Sequence, residues 1–157
     1  MRKRGLEWRP DCGIITKKTL AQTVTQKPGR LSFAGVLLDS SDPMLFHKTT
    51  YRKVYDRAKH TRPDCDDVIL LNERGEITET CIYNIVLKVG EEYLTPLLNC
   101  GLLAGTFRAW LLDRSKIKEK RIKKKDLYNC AQIYVINSVR KWQKAVLVQN
   151  NNVNTLF

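Results

Sequence analysis

The sequence predicts a mixed α/β domain in which short strands outnumber helices. Apolar runs of roughly four to eight residues, bounded by turn residues, recur along the chain and are typical of strands, as at 68–72 and 82–89. Apolar residues at helical spacing follow Thr50 and Gly105. Because the strands and helices come in mixed order, the pattern favours a strand-rich α+β or mixed α/β architecture.

The first 30 residues carry the weakest pattern. Residues 6–9 alternate like a short strand, and residues 10–13 are a turn signal. The polar, β-branched stretch at 14–26 favours an extended conformation. We therefore predict an N-terminal arm at 1–30 and one main domain at 31–157.

The main domain opens with a predicted strand at 33–38, followed by a turn at 39–43. A helix is predicted next, which Thr49 or Thr50 can cap and which Pro63 ends. Its apolar residues fall at positions i, i+3, i+4 and i+7, namely Tyr51, Val54, Tyr55 and Ala58.

A hairpin is predicted from the strand at 68–72, the turn at 73–76 and a returning strand at 82–89. Glu79 is therefore expected at the start of a strand that leaves a hairpin, not on a solvated helix. The remaining strands are predicted at 93–95, 133–136 and 145–148.

The second helix is predicted to begin after Gly105 and to run into the basic stretch 114–125. Such a run could bind nucleic-acid phosphates. It has no interleaved aromatic residues and no groove-reading motif, so we favour a solvated helix end and loop and do not expect a nucleic-acid partner. The net charge of +12 also favours a small anionic substrate or cofactor.

Composition bounds the class of protein. The chain has 157 residues, 43% hydrophobic and 28% charged, which is typical of one globular domain. No apolar run approaches the roughly 20 residues of a membrane span, and no apolar core follows the basic residues 1–4. The five cysteines are widely spaced without a C-x-x-C pair, which favours neither zinc nor a disulfide framework. We expect a reduced, cytoplasmic protein without a membrane partner.

Four short motifs occur in a specific order: H-K-T-T-x-R at 47–52, N-x-x-G-x-I-T-E at 72–79, G-L-L-x-G-x-x-R at 101–108 and N-S-V-R at 137–140. This order resembles the fold-type IV pyridoxal-phosphate enzymes, which include branched-chain and D-amino-acid aminotransferases and aminodeoxychorismate lyase. The resemblance extends from about residue 36 to residue 148. Within the family, the sequence around the first and last motifs looks most like aminodeoxychorismate lyase.

The resemblance implies the large domain of the D-amino-acid aminotransferase-like fold and pyridoxal 5'-phosphate as cofactor. Lys48 would form the covalent imine with the cofactor and then move protons, which requires a neutral amine that burial and a nearby Arg52 would favour. Glu79 would pair with the pyridine nitrogen and keep it protonated. Arg52 and Tyr51 fall near a position that contacts the ring hydroxyl, and Asn84 either braces the hairpin or contacts the cofactor.

The cofactor phosphate would be bound by two segments. Thr106 and Phe107 would offer backbone amides at a helix start, where the helix dipole favours an anion. Some relatives carry a hydroxyl side chain where Phe107 stands. Asn137 and Ser138 lie where the family places a further phosphate contact, and Ser138 is the better hydroxyl donor.

The chain departs from the family at its N-terminal side. Relatives carry a small domain of roughly a hundred residues ahead of the lysine, whereas 47 residues precede Lys48 here. The arm at 1–30 is therefore expected to be a remnant of that domain, and its missing wall leaves an apolar face open. Family members are dimers, so a homodimer is expected.

Three functions are compatible with these residues. The first is an aminodeoxychorismate lyase that releases 4-aminobenzoate and pyruvate for folate biosynthesis. The second is a class IV amino-acid transaminase acting on branched-chain or D-amino acids. The third, from a different class, is a truncated non-catalytic remnant or a basic binding module.

Overall fold

The computed structural model describes residues 27–148, so the prediction for the N-terminal arm lies mostly outside the described residues. The strands are β1 (Gly29–Leu38), β2 (Asp67–Asn72), β3 (Ile77–Thr80), β4 (Asn84–Val89), β5 (Glu92–Pro96), β6 (Lys118–Lys120), β7 (Gln132–Asn137) and β8 (Lys141–Leu147). The helices are α1 (Lys53–His60), α2 (Thr106–Asp113) and α3 (Lys124–Asn129), with short 3₁₀ turns at Pro43–Phe46 and Leu98–Cys100.

All eight described strands belong to one mixed sheet, in the order β3-β2-β1-β8-β7-β4-β5-β6. An additional pairing of β3 with β4 closes the first six strands of this order into a ring. The closing contact is a single register pair, Glu79 opposite Asn84. β1 runs parallel to both β2 and β8, whereas the other pairs in the ring are antiparallel. The mixed, strand-dominated class predicted from the sequence is confirmed.

All six ring strands contribute residues to the largest hydrophobic cluster of the core. β2 shows how this works, because it is buried along its whole length. Its alternate side chains point to opposite faces. Ile69 and Leu71 join the main cluster, whereas Val68 and Leu70 pack in a second cluster with α1. A third cluster joins α2 to β4 and β7. Among the described residues, no helix is long and apolar enough to cross a membrane.

The predicted hairpin is corrected at its second strand. The strand that returns from the turn at 73–76 is β3, which pairs antiparallel with β2, and not the predicted strand at 82–89; the chain turns again at residues 81–83 before β4 begins at Asn84. Thr80 makes this turn, since its amide donates to the carbonyl of Tyr83 and its hydroxyl accepts from the amide of Tyr83. Glu79 consequently lies near the end of its own short strand, next to a tight turn.

The predicted cap of the first helix is wrong. The Thr49 hydroxyl accepts a hydrogen bond from the amide of Tyr51 at 2.8 Å and so forms a local turn ahead of the helix. The N-cap position is occupied by Arg52, without a side-chain cap, and α1 begins at Lys53. The helix still ends where expected, at His60, before Pro63.

The basic stretch 114–125 is also more ordered than a helix end and a loop. α2 ends at Asp113, and the stretch contributes β6 and the start of α3. Buried Ile117 and Ile122 flank β6 and anchor it to the core. Three of the charges have carboxylate partners, because Arg114 pairs with Asp113, Lys118 with Glu92 and Arg121 with Glu76.

We expect Gly101→Ala to destabilise the chain more than Gly90→Ala. Both glycines have positive φ, 90° and 57°, so each alanine meets about 1 kcal/mol of backbone strain. A Cβ at Gly101 would also lie 2.9 Å from Cα of Ser40 and 3.0 Å from Cδ1 of Leu45, whereas nothing lies within 4 Å at Gly90. Urea unfolding should therefore show a loss of about 2–4 kcal/mol for Gly101→Ala. Equal losses for the two variants would contradict this packing.

Candidate functional site

A cleft of about 400 Å³ opens where four segments meet. These are the segment leading into α1, the turn between β3 and β4, the loop that starts α2, and the turn after β7. The segments are far apart in sequence and are brought together by closure of the strand ring. All seven predicted site residues line this cleft: Lys48, Arg52, Glu79, Thr106, Phe107, Asn137 and Ser138. Their roles remain predictions.

Glu79 lies in the wall of the cleft with only 4% of its surface exposed. Its Oε1 accepts hydrogen bonds from the Tyr55 hydroxyl at 2.9 Å and from the Leu103 amide at 3.2 Å. Its Oε2 accepts one from Nδ2 of Asn84 at 3.2 Å. The donors come from α1, from the loop ahead of α2 and from β4, so three separate elements fix this carboxyl group.

Burial raises the pKa of the Glu79 carboxyl from its ordinary value of 4.5 to about 8. The hydrogen bonds from Tyr55 and Leu103 act in the opposite direction, as do the charges of Arg52 and Arg108. Within residues 27–148, no lysine or arginine lies within ion-pair distance of this carboxyl group. The site therefore surrounds the Glu79 carboxyl with neutral donors but supplies no cation in contact with it.

Lys48 lies on the cleft wall with its side chain exposed, so the described residues do not provide the burial that would favour a neutral amine. The reason is local, because residues 47–51 pass along the rim of the cleft ahead of α1 and His47 and Tyr51 are exposed there as well. Arg52 is turned toward protein groups, since its Nη2 donates to the Cys81 carbonyl at 2.6 Å and its guanidinium lies 5.0 Å from the Tyr55 ring centre.

The start of α2 forms another part of the wall. Gly105 is the N-cap residue and has no side chain with which to satisfy the first amides of the helix. Alanine would not fit there, because a Cβ would collide with Oδ1 of Asn84. The helix start at Thr106 and Phe107 thus faces the cleft without a side-chain cap, as an anion site requires.

The turn after β7 brings Asn137 and Ser138 to the cleft. The Asn137 side chain is engaged locally, because its Oδ1 accepts from the amides of Val139 and Arg140 at 3.1 and 2.7 Å. Its Nδ2 donates to the Ile82 carbonyl at 3.5 Å. Asn137 therefore shapes the turn, whereas Ser138 remains exposed on the cleft wall.

Tyr55 was not predicted as a site residue. The sequence placed it only among the apolar positions of the first helix, although its hydroxyl contacts Glu79. One signal in the sequence could have suggested a site role for Tyr55. It lies three residues after Arg52, a predicted site residue, and residues at this spacing lie on one face of a helix. Asn84 braces the site as one of its two predicted roles implied, because its Nδ2 donates both to Glu79 and to the Leu103 carbonyl.

Comparisons with a family profile and with curated proteins point to the same family. The family profile described as amino-transferase class IV matches residues 14–148. A Schizosaccharomyces pombe protein provisionally named aminodeoxychorismate lyase is 34% identical over 114 residues, which are 68% of this chain and 49% of that protein. The chain spans about half the length of the curated relatives it matches.

Solved structures share the fold. A Mesorhizobium loti protein provisionally named amino-acid aminotransferase is 38% identical, with a TM-score of 0.76 over 80% of this chain and 62% of that one. The 4-amino-4-deoxychorismate lyase of Pseudomonas aeruginosa is 18% identical, with a TM-score of 0.68 over 76% of this chain and 47% of that one. At this lower identity the likeness shows the fold alone.

The raised pKa of Glu79 predicts a specific dependence of stability on pH. The folded chain keeps a proton that the unfolded chain releases between about pH 4.5 and 8, so the free energy of unfolding falls as pH rises through this window. In Glu79→Gln this contribution is absent, because the amide does not titrate. Urea unfolding of the cofactor-free chain from pH 5 to 9 should show the difference. Glu91→Gln, on an exposed turn, is the control that keeps the fall. Parallel curves for the parent and Glu79→Gln would contradict the prediction.

Proposed function

This chain belongs to the amino-transferase class IV family of pyridoxal-phosphate-dependent enzymes, and on that premise we propose that it is an aminodeoxychorismate lyase. The reaction would convert 4-amino-4-deoxychorismate into 4-aminobenzoate and pyruvate, which serves folate biosynthesis. The name of the Schizosaccharomyces pombe relative supports this choice of reaction. We further propose that the chain acts in the cytoplasm as a homodimer, as the family resemblance implies.

The residues of the cleft fit pyridoxal 5'-phosphate as cofactor. The observation that carries the proposal is the buried Glu79 carboxyl, which is surrounded by donors but lacks a cation. A protonated pyridine nitrogen would supply that cation and would relieve the cost of ionising a buried carboxyl. Lys48 would hold the cofactor covalently, and the start of α2 with Ser138 would receive its phosphate. Arg52 is proposed to lie near the ring, although its guanidinium is already bound to Cys81.

When bound, the cofactor draws electrons away from the amine-bearing carbon of the substrate. Glu79 would hold a proton on the ring nitrogen and so maintain this effect. Lys48 Nζ would accept the proton from the amine-bearing carbon. The bond between the ring carbon and the ether oxygen then breaks, the departing enolpyruvate takes up the proton held by Lys48 and becomes pyruvate, and the aromatic ring of 4-aminobenzoate remains. The two products contain all the atoms of the substrate, so no oxidant or acceptor is required.

The charge of the protein suits this substrate. 4-Amino-4-deoxychorismate carries two carboxylates, and the chain has a net charge of +12. A positive field raises the local concentration of an anion and accelerates its encounter with the cleft.

A class IV amino-acid transaminase is the second candidate. The Mesorhizobium loti aminotransferase favours it, because that protein is 38% identical to this chain and thus more similar than the lyase of Pseudomonas aeruginosa. A transaminase would pass the amino group to a keto acid, whereas the lyase would release pyruvate without one.

Cofactor binding is the first experiment. The purified chain should develop a visible absorbance band with pyridoxal phosphate, and borohydride should fix the cofactor mass to the protein. Lys48→Ala should lose both signals, whereas Lys116→Ala, an exposed lysine outside the cleft, should keep them. Absence of both signals in the parent would refute the enzyme and would leave the non-catalytic remnant or a basic binding module.

The substrate assay then separates the two enzymatic candidates. We expect pyruvate from 4-amino-4-deoxychorismate with no keto acid present, and at least a thousandfold loss of rate in Lys48→Ala, since a general base contributes about 10²–10⁴-fold and covalent attachment is lost too. Amino-group transfer that depends on added keto acid, with no pyruvate release, would favour the transaminase instead.

A further inference from the structure

Tyr55 connects helix α1 to the wall of the cleft. It lies in the first turn of α1, and its ring packs against the cluster between α1 and β2. Its hydroxyl donates to Oε1 of Glu79 at 2.9 Å. Its carbonyl is also engaged, because Sγ of Cys81 donates to it at 3.3 Å. Arg52 lies against the ring and binds the Cys81 carbonyl, so the position of Tyr55 is fixed from both sides.

The Tyr55 hydroxyl is the donor toward Glu79 when that carboxyl is ionised. Burial and then the neighbouring Glu79 charge raise the pKa of this phenol well above its ordinary value of 10. The hydroxyl therefore holds its proton more strongly than an exposed tyrosine does. A hydrogen bond from such a donor favours the ionised form of the carboxyl over the neutral form.

The three hydrogen-bond donors are divided unequally between the two carboxyl oxygens of Glu79. An ionised carboxylate oxygen can accept about two hydrogen bonds. In the described structure Oε1 accepts two, from Tyr55 and from Leu103. Oε2 accepts one, from Asn84. Acceptor capacity therefore remains on Oε2, in a residue that lines the cleft.

We propose that Tyr55 is a positioning residue that occupies Oε1 of Glu79, favours the ionised carboxylate and leaves Oε2 as the oxygen for the cofactor ring nitrogen. The assignment of Oε2 to the cofactor rests on the proposed function, whereas the effect of Tyr55 on the ionisation of Glu79 does not. The sequence motifs include neither Tyr55 nor this division between the two oxygens.

The test is a titration of the Glu79 carboxyl in the cofactor-free chain. Carboxyl-labelled glutamate gives a ¹³C resonance for each glutamate, and Glu79→Gln identifies the one that belongs to Glu79. In Tyr55→Phe the pKa of Glu79 should rise by about one to two units, because the ionised carboxyl loses one hydrogen bond. The substitution keeps the aromatic ring, so the packing against α1 and β2 is retained.

The control is Tyr128→Phe, an exposed tyrosine on α3 that does not line the cleft, and it should leave the Glu79 titration unchanged. Arg52 and Arg108 also act on Glu79, and Lys48 and His47 line the same cleft; all four are unchanged in both variants. An unshifted Glu79 titration in Tyr55→Phe would overturn the proposal and would leave Tyr55 with a packing role only.

Urea unfolding tests the same effect of Tyr55 on the ionisation of Glu79. The pH at which the free energy of unfolding stops falling should move upward in Tyr55→Phe and not in Tyr55→Phe/Glu79→Gln.

A second measurement separates this inference from the proposed function. If the parent binds pyridoxal phosphate, the visible band of Tyr55→Phe should change with pH over a different range from that of the parent, because Glu79 and the ring nitrogen titrate as a coupled pair. No cofactor band in the parent would refute the proposed function and the assignment of Oε2, while the carboxyl titration would still decide the effect of Tyr55. An identical pH dependence of the band in both proteins would refute the inference alone.

Discussion

The contact between Glu79 and Asn84 is the constraint on which both the fold and the cleft depend. As a register pair it joins β3 to β4 and closes the six-stranded ring. The Asn84 side-chain amide also donates hydrogen bonds to the Glu79 carboxyl group and to the Leu103 carbonyl. The second of these bonds holds the loop ahead of α2. Because the same two residues close the sheet and line the cleft, the geometry of the site is set by the backbone pairing of the whole domain.

The cleft combines a rigid interior with an open rim. Glu79 and Asn84 are buried and bonded to fixed elements, and the start of α2 is held by close contact of Gly105 with Asn84. The rim, which carries Lys48, is exposed. Groups that bind a cofactor ring and phosphate need fixed positions, whereas the residue proposed to move protons lies where its side chain has more freedom.

The sequence predicted the mixed strand-rich class and placed seven residues that prove to line one cleft, because ordered motifs carry information on which segments meet. It did not predict the turn at 81–83, since Thr80 makes that turn through hydrogen bonds that no local pattern encodes. No role in the site was predicted for Tyr55 from the sequence. A tyrosine at an apolar helix position is interpreted as a core residue unless the hydrogen-bond partner of its hydroxyl is known, and here that partner is Glu79. The exposure of Lys48 could not be predicted from the sequence, because exposure depends on which walls surround a segment, and this is a property of the assembled structure.

The parallel pairing of β1 with β8 has a consequence for how the domain forms. Gly29 pairs with Ala145, so strands from opposite ends of the described chain become neighbours in the ring. Pairings between distant parts of a sequence carry a large loop-closure entropy and form slowly. During synthesis the hairpin of β2 and β3 can assemble as soon as it emerges, but β1 has no partner on its other side until β8 has left the ribosome. Until then the nascent chain carries an unpaired strand edge, which is the surface that chaperones protect from aggregation.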